Sequence, residues 1–318
     1  MRVRMGRAIV FSATIAAAAY LGFSFWAGWH DVASAFAAVG WSWTAYVLGL
    51  SLINYVVRFV RWQLYLSTLG HPVPILSSCM IYFAGFAFTT TPGKAGEMLR
   101  GVFLGSRGVP FVHSTAAFLS ERLSDLLAIV LICLLGFSAY PPGRFVVVIG
   151  AFVVALLAIG LSQKRALVAL GRWLEGHSSR LVRAGGRLVP LLLEARRCHR
   201  PEILLIATPL SLLAWAAEAF AFCLVLDRVG IGVGLPFGMF IYAIATLAGA
   251  LSFLPGGLGS AEAVMVAALL MKGAPEPQAV AATIIIRLAT LWFSVALGIG
   301  AIIIGRRNLL LVAGAEAA

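Results

Sequence analysis

The sequence predicts an all-α polytopic membrane protein, with about six full spans plus two re-entrant helical hairpins arranged as two inverted repeats. Three observations lead there. Of the 318 residues, 61% are hydrophobic and only 11% are charged, where a soluble domain carries about a quarter charged. The apolar residues form long continuous runs, near 8–27, 43–66, 75–91, 114–139, 144–162, 202–226, 236–254 and 277–304. Such runs fit helices and exclude the alternating strands of a transmembrane β-barrel. The net charge of +12 is gathered into a few short segments.

Those segments set the topology. Arg2, Arg4 and Arg7 precede the first run. Lys164, Arg165, Arg172, Arg180, Arg183, Arg187, Arg196, Arg197 and Arg200 fill the segment 163–200 against Glu175 and Glu194. Arg306 and Arg307 follow the last run. Basic loops stay on the cytoplasmic side, so both termini and the 163–200 loop belong there. That loop reads as amphipathic helices on the inner surface, with anionic inner-leaflet lipids as partners. No nucleic-acid partner is needed to explain the charge. The first run is too long for a signal-peptide core and reads as a retained helix.

Taken in order, segment 8–27 runs outward and 43–66 returns, across the loop 28–42 that has no Lys or Arg. Trp26, Trp29, Trp41 and Trp43 sit where an outer aromatic belt belongs. Segment 144–162 must run inward to reach the basic loop, so 114–139 runs outward. Residues 75–112 therefore enter and leave from the cytoplasmic side. The apolar run inside them ends at the stretch TTTPGKAGEMLRG, Thr89 to Gly101, short of the ~20 residues a span needs. A re-entrant hairpin follows, turning at Pro92–Gly93, with a returning helix from about Lys94 to Ser106. In the second half, 202–226 runs outward and 277–304 inward. Residues 236–276 form a matching hairpin from the other side, broken at SFLPGGLGSAEA, Ser252 to Ala263.

The two breaks correspond. Pro92–Gly93 matches Pro255–Gly256, and each is followed by a glycine and a glutamate, Gly96–Glu97 and Gly259 with Glu262. An arginine follows inside the next run, Arg122 and Arg287. Three full spans separate the hairpins, an odd number, so the repeats 1–140 and 141–318 are inverted. Interrupted helices at equivalent places in inverted halves are the mark of a transporter's substrate site.

Charges inside apolar runs sharpen the site. The basic ones are Arg58, Arg61, Lys94, Arg100, Arg122 and Arg287; the acidic ones are Glu97, Glu121, Asp125, Glu218 and Glu262. Such charges persist only when paired or facing a watery cavity. Their near-balance predicts pairing, with a small positive surplus for an anion. Glu97 is expected to hold Arg122, and Arg61 is as consistent with snorkelling to the inner headgroups as with the site. The helix starts after Gly93 and after Gly257–Gly259 aim N–H groups into the membrane, which favours an anion. Cys79, Cys133, Cys198 and Cys223 show no disulfide or metal spacing, and the five histidines are scattered. No metal and no cofactor is expected.

The blocks TPGKAGEMLR, SERLSD and LPGGLGSAEA, with the lone arginine of ATIIIRLATLW, resemble the lysylphosphatidylglycerol synthase transmembrane region, also called the flippase-like domain family. The RFVRWQLYL stretch from Arg58 is similar to the family's Arg-Trp segment. The resemblance implies movement of a phospholipid, glycolipid or polyprenyl-phosphate-linked lipid between leaflets of a bacterial cytoplasmic membrane. The chain departs from the synthases by ending at Ala318, so it is expected to be a transporter and not an enzyme. On this reading Lys94, Arg100, Arg122, Arg287 and Arg58, with Gly93, Gly256 and Gly257, bind an anionic headgroup. Glu97, Glu121, Asp125, Glu218 and Glu262 pair charges or exchange protons. Pro92, Pro255, Gly96 and Gly259 form the turns. A homodimer is compatible with this reading. The alternative is an integral-membrane transferase or hydrolase acting on a lipid phosphate, using the same acids for acid–base chemistry. A non-transporting scaffold would keep its function without the hairpin charges.

Overall fold

The computed structural model describes residues 29–134, 144–176, 185–186 and 188–314, with side chains described except at 29–39, 92–95, 146, 162, 175 and 306–314. The first apolar run, the basic cluster before it, and the repeat boundary near residue 140 lie outside the described residues.

Among the described residues all regular structure is helical. α1 (Trp29–Thr68) is broken at Gly40, whose φ of 74° and ψ of 159° no helix accommodates. α2 is Ile75–Phe86, and a 3₁₀ segment, Pro92–Leu99, leads into α3, Arg100–Gly105. α4 is Phe111–Cys133, α5 Arg144–Ser162, α6 Lys164–Glu175 and α7 Leu188–Arg197. α8 is Pro201–Arg228 and α9 Leu235–Leu251. The second break, Pro255–Gly257, opens α10, Ser260–Met271. α11 (Glu276–Arg287) runs through one π turn, Leu288–Trp292, into α12, Phe293–Gly314.

Three stretches are long and apolar enough to cross a bilayer: Gly40–Thr68, Pro201–Arg228 and Glu276–Gly305. α5 and α6 would make a fourth only if counted together as one span, and the chain bends by 84° between them. α4 has 23 residues, about 34 Å at 1.5 Å per residue, but carries Glu121, Arg122 and Asp125. Large apolar side chains such as Phe152, Leu205 and Ile304 point outward, as a surface bathed in hydrocarbon requires. α1 and α8 pack lengthwise at the centre, where Asn54 Nδ2 donates to the Ala214 carbonyl at 2.9 Å. Trp43, just after the Gly40 break of α1, lies under the guanidinium of Arg228 at the end of α8, at 3.7 Å.

The same order of helix ends recurs. α1 ends on Gly70 (φ 88°) with the His71 N–H bonded to the Leu66 carbonyl at 2.9 Å. α8 ends on Gly230 (φ 81°) with Ile231 bonded to Leu226 at 2.8 Å, each residue 160 further on. α3 closes at Gly108 and α10 at Gly273, both with positive φ. The proline that follows each, Pro110 and Pro275, opens α4 and α11. These are glycine-terminated caps, and the equivalent positions here lie 165 apart.

The first break corrects one expectation. The returning helix begins at Arg100, not near Lys94. Eight residues remain in 3₁₀ form, longer than the usual three or four. Gly93 and Gly96 have poor α propensity, and the Gly96 N–H is held by Thr91 Oγ1 at 2.7 Å. A Cβ on Gly96 would meet Phe88 Cβ at 2.7 Å, so the strand of backbone is pressed against the segment before it.

Candidate functional site

The two breaks touch. A Cβ on Gly256 would lie 3.7 Å from the Thr90 Cα. Between them opens a cavity of about 340 Å³. The first break contributes Thr89 and Glu97, and the second Gly256 and Gly257. Tyr55 and Arg58 reach it from the middle of α1, and Trp215 and Glu218 from the middle of α8. Arg122 and Asp125 of α4, Tyr242 of α9 and Arg287 of α11 complete the polar wall.

One side of the cavity is a dense ion network. Asp125 accepts from Arg61 at 2.7 Å and Arg58 at 3.2 Å, and Arg122 lies 3.3 Å away. The Trp215 Nε1–H donates to the same carboxylate at 3.0 Å. Glu97 pairs with Arg100 at 2.8 Å and lies 3.5 Å from Arg122; Thr89 donates to it at 3.1 Å. Arg100 also reaches Glu121 at 3.1 Å and stacks over Trp62 and Tyr82 at 4.7 and 4.8 Å. Four arginines thus share three carboxylates. Burying an ion costs several kcal/mol unless partners replace its water; here Asp125 and Glu97 each meet more than one guanidinium, while Glu121 meets Arg100 and leaves Oε1 buried without a hydrogen-bond partner.

The other side is sparse. Arg287 Nε donates to Glu262 at 2.6 Å and its Nη2 to the Gly256 carbonyl at 2.8 Å. The second Glu262 oxygen accepts the Gly259 N–H at 2.8 Å. That helix start, read from sequence as an anion site, is therefore capped by its own carboxylate. Tyr242 donates to Glu218 at 2.6 Å.

The structure brings eight of the predicted residues to the cavity: Arg58, Arg122, Arg287, Gly256, Gly257, Glu97, Asp125 and Glu218. Arg100, Glu121 and Glu262 stand behind its wall as partners of other charges. Gly96 and Gly259 shape the breaks. The surroundings of Pro92, Gly93 and Lys94 lie outside the described residues. Arg61 does not snorkel. Its side chain is fully buried and bonds Asp125 and Ser211, because it faces α4 and α8 and not the headgroups. Glu97 holds Arg100 more closely than the expected Arg122. Arg58 Nε, Arg122 Nε and Arg122 Nη2 are buried without a hydrogen-bond acceptor; for Arg122 Nη2 the nearby carboxylates are within ion-pair distance but off the donor direction.

Sequence reasoning missed Tyr55, Trp215 and Tyr242, whose only signal was polar aromatic character at mid-helix. It also treated the histidines as scattered. His71 Nε2 and His113 Nδ1 lie 2.7 Å apart, and His113 Nε2 lies 3.3 Å from Glu194. Arg197 pairs with Glu194 at 2.8 Å and donates to the Thr68 carbonyl at 3.0 Å. The cluster ties the α1–α2 turn to α4 and α7. Burial, then the charges of His113 and Arg197, lower the His71 pKa. The four cysteines are free, and burial pushes the Cys198 thiol up to about 12. Among the described residues no group of three or more metal-ligating side chains forms.

Comparison with known proteins agrees with the composition. Two UPF0104 membrane proteins of Methanothermobacter thermautotrophicus (strain Delta H) are similar. One is 31% identical over 101 residues, covering 32% of this chain and 30% of that protein. The other is 24% identical over 298 residues, covering 86% of each. The family described as the lysylphosphatidylglycerol synthase TM region matches residues 9–298. This multi-pass membrane protein belongs to that family.

Proposed function

We propose that the protein moves a lipid with an anionic headgroup between the leaflets of the cytoplasmic membrane, with both termini and the basic loop inside. One observation carries the reading. Arg58 and Arg122 line the cavity joining the two Pro-Gly breaks, and each carries a buried guanidinium N–H that lacks an acceptor. An unmet buried donor is costly, and a phosphate oxygen answers it with a charge-assisted bond. Arg287 adds a fifth guanidinium to the four of the network, and Lys94 of the first break is proposed as a further cation.

On this reading α4 is also a span, its charges satisfied internally, and the protein has about six spans and two hairpins. The recurring caps support two repeats, and the odd number of spans between them makes the repeats inverted. Access alternates as one hairpin opens and then the other. Glu97 and Asp125 hold the arginines between cycles, and Glu218 is the proton-exchanging candidate. Anionic inner-leaflet lipids seat α6, where Leu170 and Trp173 are exposed beside Lys164, Arg165 and Arg172.

The test is leaflet sidedness of candidate lipids in reconstituted vesicles. Arg122→Ala and Arg287→Ala should each slow flipping at least tenfold while the protein stays monodisperse. Unchanged flipping in both variants would remove the assignment.

A further inference from the structure

One part of the cavity lining, its apolar arm, is hydrocarbon. Leu126 and Ile129 of α4, Val153 and Leu157 of α5, and Phe253 and Leu254 of the second break line it. These residues are continuous with the charged wall yet contribute no polar group. Leu157 is exposed, as are its α5 neighbours Phe152 and Leu156, so this arm borders the exposed apolar surface of α5.

Phe253 stands at that opening. Its φ of 54° is the one positive value at a non-glycine among the described residues. A bulky side chain is rarely held there, and such strain gathers at working sites. The ring is 73% exposed, so burial does not compensate. The turn around it is braced instead. Ser252 Oγ donates to the Gly249 carbonyl at 2.8 Å, meets Ser260 Oγ at 2.9 Å and accepts the Leu254 N–H at 3.3 Å. The corresponding position of the first break, Thr90, is buried. The exposed aromatic therefore belongs to one hairpin only.

We infer that the apolar arm is a lateral portal for the hydrocarbon chain of the same lipid, with Phe253 as its gate. This rests on the proposed headgroup site. A cavity of about 340 Å³ cannot also enclose a chain that spans half of a ~30 Å hydrocarbon core. The chain must leave through the wall, and the apolar arm is the part of the wall whose chemistry matches it.

The test replaces Phe253 with the photo-crosslinker benzoylphenylalanine in the full chain, in vesicles of phosphatidylglycerol and phosphatidylethanolamine. Mass spectrometry of the adduct should place the crosslink on acyl-chain carbons. Labelling should fall at least fivefold in an Arg122→Gln, Arg287→Gln background, whereas the same crosslinker at Phe152, on the outer face of α5, should be unaffected. Where those variants do not fold, glycerol phosphate added to the unaltered arginines should lower labelling at 253 and not at 152. Equal labelling at both positions, insensitive to the arginines and to glycerol phosphate, would overturn the portal. If sites 253 and 152 differ as expected but no lipid changes leaflet, the transport reading falls and the portal stands. If lipids flip and labelling ignores the arginines, the portal falls alone.

Discussion

The two breaks share a plan and differ in charge. Glu97 and Arg122 are 25 residues apart, and so are Glu262 and Arg287. In the second half this pair is close, at 2.6 Å, and largely self-sufficient. In the first half it is loosened to 3.5 Å and dissolved into a network with Arg58, Arg61 and Arg100. The positions equivalent to the network's core also differ in sign: Arg58 of α1 corresponds to Glu218 of α8, 160 residues on. Similar backbone around the two breaks thus carries unlike charge. On the proposed function, the first break binds the anion and the second closes over it.

Breaking the network should cost more than breaking the pair. Asp125→Ala takes a carboxylate from three arginines and leaves Arg58 without an ion pair; it should destabilise by about 3–5 kcal/mol, seen as lost monodispersity and a lower unfolding temperature in detergent. Glu262→Gln leaves one charge short of a partner, while the amide oxygen can still cap Gly259. It should cost about 1–3 kcal/mol. If the two variants are equally stable, the contrast between the breaks is wrong.

The glycines sharpen the contrast at a smaller scale. Gly257 needs its φ of +67°, and a Cβ there would press on Gly249 Cα at 3.0 Å. Gly96 has no such φ but no room either. Gly257→Ala should therefore fail through both strain and crowding, and Gly96→Ala through crowding alone, about 1–3 kcal/mol. Thermal unfolding should rank Gly257→Ala as the worse.

The smallest effect is a pH dependence at the His71–His113 cluster, remote from both breaks. Folding holds the His71 pKa below its ordinary 6.5. The fold thus favours neutral His71. Its contribution is present above that value and fades as pH falls through it. His71→Asn should flatten the stability profile between about pH 7 and 5, which unfolding scans across that window would detect. A profile unchanged by the substitution would mean the pair is idle.

Much of this was legible in the chain. The breaks announced themselves because Pro, Gly and charge interrupt apolar runs, a local signal. The Glu–Arg pairs were legible as types but not as partners. Arg61 joins Asp125 and Ser211 across 64 and 150 residues, and nothing within its own helix distinguishes that from a headgroup contact. The start of α3 was misplaced because the local choice between 3₁₀ and α form was decided by Thr91 and by crowding at Gly96. The proline-to-arginine spacings, 30 and 32 residues, hid the equal glutamate-to-arginine spacing. The two extra residues lie between Pro255 and Glu262, inside the break.

Gly298 of α12 meets the first hairpin so closely that a Cβ would stand 2.1 Å from the Ala87 backbone nitrogen. α12 continues α11 through the π turn, so one rod carries Arg287 at the second break and grips the end of α2 before the first. The halves are geared together. On the proposed alternating access, neither break can move alone unless this backbone contact slides or the π turn shifts its register. A methyl group at residue 298 would jam that gear without touching a single charge.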